Sequence, residues 1–192
     1  FLSDGKLPGI RLRLQAAGFY GDGATTVYII LKSVSPLIGV ILAATVARLH
    51  FEVGTNNLIL SAALGAVLGW MATDYILDKR INSRQKKVAA EFPDVIDMFM
   101  IYTESGMSFD ASLPRGAAAM AKQSPSSAAE LKLLERELRL LPDRGKAYEN
   151  IGKRCNVGIV KNFASVIRQS EVLGTPISKA MKTLGDEARR ER

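Results

Sequence analysis

The stretch that decides the fold is residues 58–77, LILSAALGAVLGWMATDYIL, which carries no charge until Asp74. As a helix it is about 30 Å long, enough to cross the hydrocarbon core of a bilayer. Ser61, Gly65 and Gly69 recur every fourth residue and so line one helix face. That small-xxx-small spacing lets two membrane helices approach closely. Trp70 and Tyr75 lie towards the later end, where amphipathic rings favour the membrane interface.

Upstream, residues 27–47 read VYIILKSVSPLIGVILAATVA, with Lys32 as the one charge. Its stem can snorkel to the headgroups from that early position. Pro36 predicts a kink, which membrane helices tolerate because neighbours satisfy the freed carbonyl. Two such stretches joined by a short loop predict a transmembrane hairpin over residues 23–77. The competing reading is a buried hairpin in a soluble bundle.

Charge orients the hairpin. Asp78, Lys79, Arg80, Arg84, Lys86 and Lys87 follow the second stretch, and Lys6, Arg11 and Arg13 precede the first. The loop 48–57 has only Arg48 as a cation, offset by Glu52. By the positive-inside rule both flanks are cytoplasmic. The basic connector of Lys79, Arg80, Arg84, Lys86 and Lys87 is expected at the membrane surface, with anionic lipid as its partner. Segment 1–22 contains the basic-amphipathic run IRLRLQAAGF at 10–19, expected on the cytoplasmic surface of the membrane.

The mean hydropathy near zero is therefore the sum of two unlike halves. A net charge of +7 raises nucleic acid as a partner, but aromatics are only 7% of the chain and do not alternate with the basic residues. A base-stacking platform needs that alternation, so no nucleic-acid partner is expected. Cys155 and His50 are the only residues of their kinds, which excludes an intrachain disulfide and leaves no metal site to expect. No Gly-x-x-x-x-Gly-Lys-Ser/Thr loop occurs, so ATP is not bound in the P-loop manner. No catalytic constellation and no cofactor are expected, and the chain is not read as an enzyme. It starts at Phe1 and ends at Arg192 within a predicted helix; both ends are read as truncated, with further C-terminal spans expected.

Residues 78–192 predict an all-α cytoplasmic bundle of about six helices. The first continues from the membrane to about Ser105, burying Val88, Phe92, Val95, Ile96, Phe99 and Tyr102, spaced by three and four. Pro93 within it predicts a kink or a new start. Gly106 ends the helix and Ser108 caps the next. After the breaker 122–127 comes a helix at 128–141, with leucines at 131, 134, 138 and 141. Its charged face is to carry Glu130, Lys132, Glu135, Arg136, Glu137 and Arg139. Pro142 and Asp143 stop it and cap a helix from Arg144 to Cys155. The fifth helix, 157–173, has Ile159, Phe163, Val166, Ile167 and Val172 as its apolar set and closes at Gly174. Thr175 and Pro176 open a sixth, through Met181 and Leu184.

Two corners share one chemistry: ESGMSFDASL at 104–113 and EVLGTPISKAM at 171–181 both run acid, Gly, hydroxyl, then Ala before an aliphatic. Glu104 and Glu171 each face the negative end of a helix dipole and need compensation. They are candidates for partner contact or for an internal tie, while Gly106 and Gly174 serve the turn. Asp74, the sole acid within a span, is a functional candidate as an intramembrane acid, though its position favours a solvated carboxylate.

The run FPDVID at 92–97, the corner at 104–113 and RQSEVLGTPI at 168–177 resemble the type II secretion F domain. The nearest likeness is to the TadC and TadB platform proteins of the tight-adherence pilus. It covers roughly residues 11–192, and departs at Ser105 and Pro142, where Ala and Gly are common in the family. The resemblance implies a multi-pass bacterial inner-membrane platform without catalysis. Its implied partners are a hexameric cytoplasmic ATPase, a TadB-like sister subunit, pilin and membrane lipid, in a homo- or hetero-oligomer. A polytopic transporter or an intramembrane enzyme subunit is the alternative.

Overall fold

The structure, a computed structural model, describes residues 7–21, 23–50, 55–174 and 177–190. It is all-helical, with eight helices and no strand among the described residues. The chain divides into two compact units, Phe1–Asn82 and Ser83–Arg192.

The first unit holds α1 (Leu7–Ala16), α2 (Gly23–His50) and the early part of α3 (Thr55–Glu104). By length and composition, α2 and α3 are long and apolar enough to cross a membrane. Their apolar stretches expose aliphatic side chains: Leu37, Ile41, Leu42, Leu60, Val67 and Leu68 are all exposed. The core hairpin of a soluble bundle buries such residues, so their exposure weighs against that competing reading. Residues 51–54 of the connecting loop, the His50 side chain and Lys6 lie outside the description.

Gly18, at φ 95°, closes α1. Gly18 donates its N–H to the Gln15 carbonyl and Phe19 donates to Leu14, both at 2.9 Å. This paired closure satisfies carbonyls that a helix end leaves free. Leu14 and Ala17 then bury against Tyr28 and Leu77, with Ile10, Ala24 and Ile81 packed around them. The apolar side of α1 therefore packs on the end of the hairpin that carries Tyr28 and Leu77.

The second unit comprises the later part of α3 with α4 (Phe109–Ala119), α5 (Pro125–Leu140), α6 (Arg144–Cys155), α7 (Gly158–Leu173) and α8 (Ile177–Arg190). Each helix from α4 onward packs on the next. The spacing of α3 delivers its stripe: Val88, Phe92, Val95, Ile96 and Phe99 are buried, and Tyr102 is half-buried. Pro93 lies inside α3, which runs through it as one helix and does not restart. Phe92 meets Phe163 edge-on at 5.2 Å between ring centroids, and Phe99 reaches Phe109 at 5.4 Å. Such pairs add about 1 kcal/mol beyond their area, and here they join α3, α4 and α7.

The helix boundaries follow local chemistry. Gly106, at φ 83°, donates to Thr103 while Met107 donates to Tyr102, so α3 ends in a double closure. The Ser108 hydroxyl accepts from the Ala111 N–H and Asp143 accepts from Gly145. Helix α5 starts at Pro125, inside the expected breaker, because proline suits the first helical position. Its exposed N–H groups are met from another helix: Glu91 of α3 accepts from the Ser127 N–H at 3.2 Å and hydroxyl at 3.1 Å. Thr175 and Pro176 lie outside the description.

Candidate functional site

The hairpin crosses on glycine. A Cβ placed on Gly39 would fall on the Gly65 carbonyl oxygen, one on Gly65 on the Gly39 carbonyl oxygen, and one on Gly69 on that of Ser35. Gly65 and Gly69 thus face α2 of the same chain, and half-buried Ser61 borders the same crossing. Gly39 is the partner that sequence reading passed over. Its signal lay in the sequence: Ser35, Gly39, Ala43 and Ala47 recur every fourth residue, the same small-residue spacing that marks Ser61, Gly65 and Gly69.

Below the crossing the two charges of the apolar stretches meet. Lys32 Nζ lies 2.8 Å from Asp74 Oδ2, and the Tyr28 hydroxyl donates to Asp74 Oδ1 at 2.5 Å. Tyr28 and Lys32 are one helical turn apart on α2, so both reach the same carboxylate. The Lys32 ammonium also stands 5.3 Å from the Trp70 ring centroid, within cation–π range. Arg13 of α1 pairs with Asp78 at 2.6 Å and approaches Asp74 at 3.9 Å. Asp74 is therefore a partnered structural carboxylate within the hairpin, not an open acid.

The basic connector divides by direction. Lys79, Arg80, Lys86 and Lys87 are exposed, and the Arg80 guanidinium lies 4.9 Å from the Phe19 ring centroid. Arg84 departs from the expected surface role: it turns inward and pairs with Glu130 at 2.9 Å.

At the second corner Glu171 has its compensation. Arg144, from the start of α6, bonds Glu171 Oε1 at 2.6 Å and Asp110 Oδ1 of α4 at 2.7 Å. The Tyr148 hydroxyl donates to Glu171 Oε1 at 2.7 Å. The bonds to Glu171 and then Asp110 raise the Arg144 pKa, keeping the guanidinium charged. Burial first, and Glu171 second, push the Tyr148 hydroxyl up. So Glu171 ties α7 to α6 and, through Arg144, to α4. Glu104 has no such arrangement: it is exposed, with no ion pair among the described residues. Gly106 and Gly174 both take left-handed backbone, at φ 83° and 65°, which suits glycine.

No family model, curated protein or solved structure matches the chain. Function must be argued from the geometry and from the motifs.

A buried charge network lies beyond what sequence reading found. Arg154, which the sequence reading did not single out, and Glu130, expected on the charged face of its helix, are 2% and 0% exposed in their side chains and pair at 3.2 Å. Arg154 also holds Glu137 at 2.6 Å. Together with Arg84 this network joins α3, α5 and α6. Burial pushes the Glu137 carboxyl up, against the pull of Arg154. Burial, and then Glu130, push up the adjacent Cys155 thiol. A neutral, enclosed thiol is a poor nucleophile. Among the described residues no group of three or more His, Cys, Asp or Glu is placed to hold a metal ion. The polar clusters found here have the chemistry of ties between helices.

Proposed function

We propose that the chain is part of a multi-pass inner-membrane assembly platform of a type IV or tight-adherence pilus, or of a type II-like secretion machine. In this reading α2 and the early part of α3 cross the membrane. The second unit is then the cytoplasmic F-domain bundle, on the side of the exposed Lys79, Arg80, Lys86 and Lys87. The observation that carries the reading is the ordered pair of corners, Glu104–Gly106–Ser108 and Glu171–Gly174, behind FPDVID in an all-α unit. The aliphatic belt exposed on both long helices supports insertion, because lipid is the solvent in which such a surface is stable.

The platform works with a hexameric cytoplasmic ATPase, a TadB-like sister subunit and pilin, and performs no catalysis itself. Movement imposed on the bundle passes along α3, which is a single helix from Thr55 to Glu104. The transporter alternative is the weaker reading, since Lys32 and Asp74 neutralise each other and leave no polar path between these helices. With Gly65 and Gly69 engaged inside the hairpin, subunit assembly uses other surfaces.

Crosslinking in cells from exposed positions of the second unit, read by mass spectrometry, tests the proposal. Recovery of a secretion ATPase together with a second platform protein is expected; recovery of neither rejects it. Inserting several glycines after Asn82 is expected to abolish fibre assembly while leaving membrane insertion intact. Normal assembly by that variant rejects coupling along α3.

A further inference from the structure

Helices α6 and α7 pack against each other and leave an open groove of about 830 Å³ along their outer side. Its floor is made by the buried Tyr148, Gly152 and Ala164. Along α7 the groove is bordered by Lys161, Ser165, Arg168 and Val172, spaced by four, three and four. That is the spacing with which one helix presents a continuous face to another. At the far end Val172 and Leu173 stand 77% and 72% exposed. Val172 is about 140° round the helix from Ile167, too far to share its buried stripe. These two aliphatics are therefore displayed beside the groove and contribute little to the core.

Charge completes the picture. Lys153, Lys161 and Arg168 border the groove against one carboxylate, Glu149. Glu149 is shared, at 3.4 Å from Lys153 and 3.3 Å from Arg168. Lys161 bonds the uncharged side chain of Asn156, at 2.6 Å, and has no ion pair among the described residues. The rim thus carries an excess of positive charge around an apolar floor.

We propose that this groove docks an amphipathic helix of a partner protein, with an aliphatic stripe flanked by Asp or Glu. The α7 wall, from Lys161 to Leu173, is about 18 Å long, which accommodates roughly three turns of such a helix. Aliphatic side chains enter over Gly152 and Ala164 and meet Val172 and Leu173, while flanking carboxylates reach Lys161 and Arg168. This follows the general mode in which a helix lays its apolar face into a groove, with charge setting selectivity and encounter rate. It does not rest on the platform reading, because every group it uses belongs to α6, α7 or the Asn156 turn between them.

The test uses the full chain in nanodiscs of zwitterionic lipid, with p-benzoylphenylalanine replacing exposed Gln169 at the rim. The probe is a designed three-turn helical peptide with leucines at i, i+3, i+4 and i+7 and glutamates alongside; its counterpart has lysines instead. The glutamate peptide is expected to crosslink, and in anisotropy titrations to bind at least about tenfold more tightly than the lysine peptide. Against the native chain, Lys161→Glu with Arg168→Glu should weaken the glutamate peptide by about tenfold or more. Ser165→Trp, which fills the groove from an exposed position, should do the same without charge change. Circular dichroism checks that both variants stay folded. Equal binding of the two peptides, or unchanged binding by either folded variant, overturns the proposal. So does crosslinking from position 169 to a second copy in preference to the peptide, or to lipid once anionic lipid is added.

Discussion

Lys32 Nζ stands 2.8 Å from Asp74 Oδ2, so the single cation of one apolar stretch and the single acid of the other neutralise each other across the hairpin. Their side chains are 27% and 31% exposed, between the screened surface pair and the fully buried one. Removing one partner as Lys32→Met or Asp74→Asn is therefore expected to lower stability by about 1–3 kcal/mol. The double variant should lose less than the sum of the singles, because the second change removes a charge already orphaned. Detergent-induced unfolding followed by circular dichroism gives the cycle. Additive losses would show that the pair does not couple.

The glycine crossing permits a sharper comparison. Gly39→Ala and Gly65→Ala each place a methyl on backbone of the opposing helix, where no side-chain rearrangement relieves it. The helices must separate, at an expected cost of about 1–3 kcal/mol each. Gly23 has nothing within 4 Å of where its Cβ would lie, so Gly23→Ala should be neutral or slightly stabilising. The same unfolding measurement ranks the three. Similar losses at Gly23 and Gly39 would contradict a close crossing.

The features legible in sequence are those whose cause is local. Gly106 and Gly174 mark helix ends because a left-handed residue there favours glycine, and Asp143 marks a start because its carboxylate reaches an N–H two residues on. Long-range pairing left no such mark. Glu130 was grouped with the charged face of α5, yet it lies three residues after Ser127 and four before Leu134, both buried. That register was the available signal, overridden by the habit of placing carboxylates in water. Arg154 has the same signature, three residues after buried Ile151. What no pattern could supply was the joining of Glu130 to Arg84, 46 positions earlier, because only the packing of α5 against α3 makes them neighbours. Asp110, Arg144 and Glu171 likewise come from three helices and share no motif.

The Arg154 network predicts an asymmetry between losing one charge and losing three. Arg154→Met leaves Glu130, its side chain fully enclosed, without one of its guanidinium partners, and is expected to cost about 3–5 kcal/mol. Adding Glu130→Met and Arg84→Met replaces two of the three remaining charges with apolar groups of similar length, leaves only Glu137, whose side chain is 20% exposed, and should recover part of that loss. Thermal unfolding of the full chain in mild detergent measures both. A triple variant less stable than Arg154→Met would mean that the ions contribute more than they cost to bury.

Cys155 sits against this network, and its environment predicts both reactivity and pH dependence. Burial pushes its thiol pKa up, with Glu130 adding in the same direction. In the unfolded chain the thiol ionises near about 8.5, whereas in the fold it stays neutral at that pH. The stability this difference contributes is fully present below about 8.5 and is lost as pH rises towards the folded value. Tyr148 is shifted the same way, but an unfolded tyrosine ionises only near about 10, so the interval between isolates the cysteine. Across it the native chain should lose up to about 2 kcal/mol more than Cys155→Ala, since each pH unit is worth about 1.4 kcal/mol per proton. A disulfide reagent at pH 8 should leave the folded thiol unmodified and label it at the rate of unfolding once denaturant is added. Rapid labelling of the folded chain, or equal alkaline losses in both proteins, would place Cys155 in water and not beside Glu130.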